Sequence, residues 1–336
     1  MIPFSVLDLS IITRGSGPRE AFRHSIDFAK RAESLGFHRY WLAEHHAMPG
    51  IASAATAVLI GQIAGATTRI RVGSGGIMLP NHSPLVIAEQ FGTLETLFPG
   101  RIDLGLGRAP GADQRTARAL RRDPVAADRF PEDVVELLHY FEPSSEEDTH
   151  LIRAVPGAGL HVPVWILGSS LFSASLAAHL GLPYAFASHF APAQMEEAIA
   201  LYRSRFEPSE RCAKPHVMLT VNIIAADEEA EGKRLATSLY QYFVALRRGR
   251  PIAFPPPVNS GPSPWSAEEQ HMLGQTLACT FSGSRESVSA QVQAFADSHK
   301  PDELMIAVPI HDHDSRCRSL ELAAKIRVEI SGRQGD

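Results

Sequence analysis

The stretch IRVGSGGIMLPNHSPLVIAEQFGTLETLFPGRIDLGL, residues 70–106, decides the fold. It opens on a short β-like run, Ile70–Gly73, passes through a helical pattern from Pro84 to Leu97 that stops at Pro99-Gly100, and returns to a β-like run, Ile102–Leu106. Glycine or proline just past the last periodic residue is a helix stop. Upstream the same unit recurs. FSVLDL (Phe4–Leu9) and HRYWL (His38–Leu42) precede helical patterns at Arg19–Leu35 and in the Ala-rich stretch 53–66, and each β-like run begins 32 to 34 residues after the last. Strand, helix, strand at this interval is a βαβ repeat. Downstream the beat breaks and then resumes at Val164–Leu167, Tyr184–Ala187, Val217–Ile224 and Glu303–Val308, with a further helix at Pro131–Phe141. Eight βα units predict a closed (β/α)₈ TIM barrel rather than an open doubly wound sheet. The opening βα turn also lacks the Gly-x-Gly-x-x-Gly spacing of a dinucleotide-binding half.

The length, 336 residues, suits one barrel domain over residues 1–336 with insertions, since such barrels run to roughly 250 residues and beyond. Two regions read as excursions: residues 107–162, and a segment from about Asp227 to Gln275 that carries two helical patterns around six prolines between Pro251 and Pro264. Proline at that density forms neither helix nor central strand, and a long ordered loop on a barrel reads as a lid. With 37 acidic against 32 basic residues there is no positive field to gather nucleic acid or an anionic membrane, so neither is an expected partner. The longest uncharged run, residues 51–68, is too polar for a bilayer span and reads as a buried helix. Cys212, Cys279 and Cys317 are odd in number and widely spaced, which suggests neither disulfides nor a zinc knuckle. No secretory signal is read at the start, and a cytoplasmic location is expected.

In a barrel, chemistry gathers where the strands end on the C-terminal face. After the fifth strand, Gly168-Ser169-Ser170-Leu171-Phe172-Ser173 passes straight into a helix. Free amides, three hydroxyls and the positive helix end would then converge as a phosphate site, or the serine is simply an N-cap. Arg108, after the fourth strand, could grip the same phosphate bidentately or form a surface ion pair. Gly73-Ser74-Gly75-Gly76 leaves room for a flat ligand against backbone, or is a plain strand-ending turn. Glu44-His45-His46 offers a general acid/base near neutral pH, yet adjacent residues on a strand point to opposite faces, so one imidazole can be catalytic and the other structural. The run His311-Asp312-His313-Asp314 reads as a metal cluster or a solvated loop.

These residues, in this order, resemble the bacterial luciferase-like flavin monooxygenases. The resemblance rests on YWLAEHH (Tyr40–His46), IRVGSGGIMLPNHSPLVIAEQ (Ile70–Gln90), FPGRIDLGLGRAPG (Phe98–Gly111), VWILGSSLFSASLAAHLGLPYAFASHF (Val164–Phe190) and DELMIAVPIHDH (Asp302–His313), and it spans nearly the whole chain. It implies reduced FMN as co-substrate, supplied by a separate NAD(P)H:flavin reductase, and activation of O₂ as a flavin C4a-hydroperoxide for attack on a small organic substrate. By position, His45 matches the catalytic histidine. Gly75 and Gly76 match a non-prolyl cis peptide against the isoalloxazine. Arg108, Ser169, Ser170 and Ser173, with Gly168, match the phosphate-binding turn. Gly107 stands where the luciferases carry a reactive cysteine, and Ser188 where they carry a tryptophan, with His189 filling part of the ring pocket; light emission is not expected. A homodimer through the Ala- and Gly-rich helix Ala52–Ala66 is implied as well. Competing readings are an F420-dependent dehydrogenase, a flavin-binding protein without turnover, and a metal-dependent hydrolase built on His45, His46 and His311.

Overall fold

A computed structural model describes residues 2–108, 114–121, 127–143, 152–258 and 264–332. Residues 109–113, 122–126 and 144–151 of the first excursion and 259–263 of the second, Pro262 among them, lie outside the described residues. The elements in chain order are β1 (Phe4–Asp8), α1 (Pro18–Ser34), β2 (Arg39–Leu42), α2 (Thr56–Ala66), β3 (Arg71–Met78), α3 (Pro84–Leu97), β4 (Ile102–Gly107), α4 (Gln114–Ala119) and α5 (Phe130–Tyr140). They continue with β5 (Val164–Gly168), α6 (Leu171–His179), β6 (Tyr184–Phe186), α7 (Met195–Arg205), β7 (Val217–Ala226), α8 (Glu229–Arg247), α9 (Ala267–Thr276), β8 (Thr280–Ser284), α10 (Arg285–His299), β9 (Glu303–Ala307) and α11 (His313–Gly332).

All strand pairs are parallel. β1 to β6 pair in sequence, β6 pairs with β7, β7 with β9, and β9 with β1, which closes an eight-stranded barrel. The helices that wrap it are amphipathic in the expected way. On α1 the buried residues Ala21, Ser25, Phe28, Ala29 and Ala32 form one stripe, and Gly36 at φ +73° turns the chain toward β2.

Two features differ from the sequence reading. β3 does not stop at Gly73 but runs on to Met78, with a register shift against β4 between Ser74 and Ile77. The glycines there are not a terminator. A Cβ on Gly75 would stand 2.7 Å from Leu7 Cδ1, and one on Gly76 would stand 2.7 Å from the Gly105 carbonyl oxygen, so close packing inside the strand requires glycine. A ninth strand, β8, pairs with Asn222–Ala226 on the extension of β7 beyond β6. Its sequence, TFSGS, has a single large apolar residue and so carries no strand-like hydrophobic run. The second excursion contains α8 and α9, as the two helical patterns suggest. Its proline-rich part docks beside the loop after β1, where the Arg14 amide donates to the Phe254 carbonyl at 2.8 Å and the Phe254 amide to Ile12 at 2.9 Å.

The barrel interior is filled by Leu7, Trp41, Ala43, Trp165, Ala185, Met218, Met305 and Ala307, with Trp41 and Trp165 edge to face at 5.3 Å. Below them, at the strand starts, Asp103 accepts from Arg39 (2.8 Å), Arg71 (2.6 Å) and the Trp41 indole (3.1 Å), while Glu303 takes Arg39 (3.1 Å) and the Ser5 hydroxyl. This ion cluster closes the floor. Any ligand of the barrel enters from the opposite, C-terminal end. Among the described residues no helix is long and apolar enough to cross a membrane.

Candidate active site

The segment after β2, which ends at Leu42, carries Glu44, His45 and His46 out of the strand, and the two imidazoles take different partners. Glu44 is buried at 1% exposure, and its carboxylate receives the Met78 amide (2.9 Å), His46 Nε2 (2.6 Å) and His82 Nε2 (2.9 Å). Burial alone would raise its pKa. The bonds from His82 and His46 outweigh it and hold the carboxyl below its usual range. His46 is thereby a brace.

His45 does not join that cluster, and its Nδ1 is buried and unpartnered. Burial depresses its pKa to about 4, against a weaker pull upward from Glu44. Across from it His189, after β6, also has a buried, unpartnered Nδ1, and burial together with the charge of His45 depresses its pKa to about 3. Both rings are therefore neutral at neutral pH, each presenting a nitrogen that no protein group satisfies. Buried polar atoms are nearly always bonded, and these two nitrogens stand among several buried side-chain atoms without a protein partner, Trp165 Nε1 and His216 Nε2 included. His189 is held from behind, since Asn222 Nδ2 donates to its carbonyl at 2.8 Å and to Thr280 Oγ1 at 3.0 Å. Ser188, its neighbour, points away and donates to the Thr220 carbonyl at 2.6 Å.

The shelf beside His45 is the Gly75–Gly76 segment, whose peptide is cis and whose Gly76 carbonyl accepts the Glu44 amide at 3.3 Å. Gly107, next along, has open space where a side chain would stand, the nearest atom being the Ile77 carbonyl oxygen at 3.9 Å.

At the start of α6 the structure divides the serines. Ser173 is buried and turned inward, its hydroxyl donating to the Ser170 carbonyl (2.8 Å) and sharing a 3.1 Å bond with Tyr184, directly beneath Gly168. Three hydroxyls do not converge; Ser173 braces the turn instead. Ser169 and Ser170 are half-buried at the helix N-terminus, and Ser170 occupies the N-cap without using its side chain there. Arg108 comes to this turn from β4, its guanidinium stacked 4.2 Å above the Phe172 ring. A cation, two hydroxyls and the first-turn amides of α6 thus share one corner, a donor set suited to a phosphomonoester.

The His45–His46–His311 set is not gathered. Among the described residues the groups with ligand atoms close enough for one ion are Glu44–His46–His82 and Asp27–His313–Cys317. His82, Asn222 and Tyr184 were not singled out by sequence; each acts through a partner remote in the chain, and no local spacing announces them.

The fold is a closed parallel (β/α)₈ barrel, and comparison with known proteins gives the family. The family profile described as "Luciferase-like monooxygenase" matches residues 2–299. The chain belongs to the luciferase-like monooxygenases. It is 54% identical to a luciferase-like monooxygenase of Escherichia coli (strain K12) over 332 residues, 98% of each chain. It is 32% identical to the N-acetyl-S-alkylcysteine monooxygenase of Bacillus subtilis (strain 168) over 331 residues, covering 96% of this chain and 97% of that one. The solved structure of apo-MsnO8 superposes with a TM-score of 0.86 at 33% identity, over 98% and 99% of the two chains. The same fold occurs at 17% identity in the FMN complex of the oxygenating constituent of 3,6-diketocamphane monooxygenase (TM-score 0.72, covering 96% and 97%). It occurs at 15% in an F420-dependent secondary alcohol dehydrogenase (TM-score 0.69, covering 95% and 97%). Fold alone thus leaves the cofactor to be argued from the site.

Proposed function

We propose that this chain is the oxygenating component of a two-component flavin monooxygenase. It takes reduced FMN from a separate NAD(P)H:flavin reductase and uses O₂ to oxygenate a small organic substrate. The observation that carries the reading is the pair of neutral, unpartnered imidazoles, His45 and His189, beside the glycine shelf of β3. When bound, reduced FMN would supply two electrons to O₂, one oxygen atom going to the substrate and the other leaving as water. The protein's part follows from its own groups. Arg108, Ser169 and Ser170 with the α6 amides hold the phosphate tail. Gly75, Gly76 and Gly107 leave a flat, side-chain-free surface for a ring. Trp41, Trp165 and the floor beneath them keep water out of the barrel from below. His45, neutral at pH 7, accepts or returns a proton at Nδ1, the role its environment suits best. Full-length likeness to a named monooxygenase at 32% identity supports oxygenation over F420-linked hydride transfer, for which the likeness is 15%.

A homodimer through the α2 face fits the exposed apolar residue Val58 of α2, and three free cysteines fit a reducing compartment. The decisive measurement is titration of the protein with FMN and with reduced FMN. Binding of at least one at micromolar concentration is expected, and failure of both ends the proposal. His45→Ala should then lose about 10²-fold or more in turnover with flavin binding largely kept.

A further inference from the structure

The His311–Asp314 run leads into α11, which starts at His313, and lines a cleft of about 560 Å³ with Glu20, His24 and Asp27 of α1. His313 and Cys317 are one turn apart on α11 and therefore share a face. Asp27 meets them from α1. His313 Nε2 lies 2.9 Å from Asp27 Oδ2 and 3.5 Å from Cys317 Sγ, and that sulfur lies 3.8 Å from the same carboxylate oxygen.

A Cys–His–Asp set at such distances invites comparison with a nucleophilic triad, but the geometry denies it. In a triad the imidazole uses one nitrogen toward the nucleophile and the other toward the carboxylate. Here a single nitrogen, Nε2, faces both, while Nδ1 is buried elsewhere. Three donor atoms aimed at one point are instead the arrangement of ligands. With Zn–S of about 2.3 Å and Zn–N or Zn–O of about 2.0–2.2 Å, a tetrahedral site has edges of roughly 3.3–3.7 Å, close to both sulfur edges observed. The shorter N···O edge is a hydrogen bond whose proton a metal would replace.

We propose that Asp27, His313 and Cys317 form a site for a borderline-soft divalent metal, Zn²⁺ by ligand type, that ties α11 to α1. The imidazole is already oriented, stacked on His24 with centroids 3.9 Å apart and planes within 5°. Carboxylates outnumber cations at the entrance, where Glu20, Asp312 and Asp314 stand against Arg23. Arg31 Nε donates to the same Asp27 Oδ2 at 2.8 Å from a side chain that is 44% exposed, and would give up that bond to water when the metal binds. Thiolate and carboxylate together neutralise the ion, and the cleft supplies water for the fourth position.

The test titrates chelator-washed full-length protein with Co²⁺. One equivalent should produce a near-ultraviolet thiolate-to-cobalt charge-transfer band that Zn²⁺ abolishes, and Zn²⁺ should raise the melting temperature. Cys317→Ser should remove the band and the thermal shift, and Asp27→Asn should weaken binding about tenfold or more. Should Cys317→Ser fail to fold, His313→Asn and Asp27→Asn carry the test. Co²⁺ giving no thiolate band in the unmodified protein would overturn the proposal. So would a band indifferent to Asp27→Asn and His313→Asn, or binding lost only on Glu44→Gln. Flavin binding plays no part in these readouts.

Discussion

Acidification should unfold this protein from the mouth of the barrel, and the size of the effect can be worked from two side chains. His45 is held at about 4 and His189 at about 3 by burial, against 6.5 for an exposed imidazole. Depressed folded-state values mean that the unfolded chain binds protons first. Stability is intact above about pH 6.5 and is lost progressively as pH falls toward 4 and then 3. For His45 the full loss is about 3 kcal/mol, for His189 about 5 kcal/mol, and for the pair on the order of 8 kcal/mol, their mutual repulsion being counted once, on His189. Against a total stability of about 5–15 kcal/mol this is a large fraction. Urea denaturation followed by circular dichroism at pH 7 and pH 4.5 measures it. His189→Asn isolates the pair from other titrating groups, and its loss over that interval should be smaller than that of the unmodified protein by about 2–3 kcal/mol. Equal losses in the two proteins would refute the claim that the His189 imidazole is buried and unprotonated.

Arg108→Ala should weaken FMN binding by about 1.5–3 kcal/mol, the worth of a charge-assisted hydrogen bond, whereas Arg108→Lys should recover part of it. Fluorescence quenching of the flavin reports both. Glu44→Gln removes the carboxylate that receives His46, His82 and the Met78 amide. It should cost on the order of 3 kcal/mol, seen as a melting temperature lower by roughly 5–10 °C.

Much of the architecture is legible in local sequence. The interval of 32 to 34 residues between the first four strands, the glycine and proline stops, and the resumption of the beat after residue 162 are near-neighbour signals, and the eight-stranded closure follows from their number. β8 escapes because Thr280–Ser284 offers one large apolar side chain, and it exists only because β7 outruns β6. The end of β3 escapes because glycine reads as a terminator in one dimension. Only the nearness of Leu7, Trp41 and Gly105 shows it to be a packing requirement.

For the site, the chemistry on offer is already legible in the residues: imidazoles after β2 and β6, a glycine pair after Gly73, an arginine after β4 and a hydroxyl-rich turn into α6. These depend on residue type and on position relative to a strand end, both of which are local. Tertiary structure alone decided direction and company. It turned His46 to Glu44 and kept His45 apart from them, folded Ser173 under its own turn onto Tyr184, brought His82 to Glu44, and set Cys317 beside Asp27, 290 residues away. Backbone periodicity is imposed by hydrogen bonds a few residues apart, but the side a residue presents to a ligand is settled by whichever distant strand or helix occupies the other side.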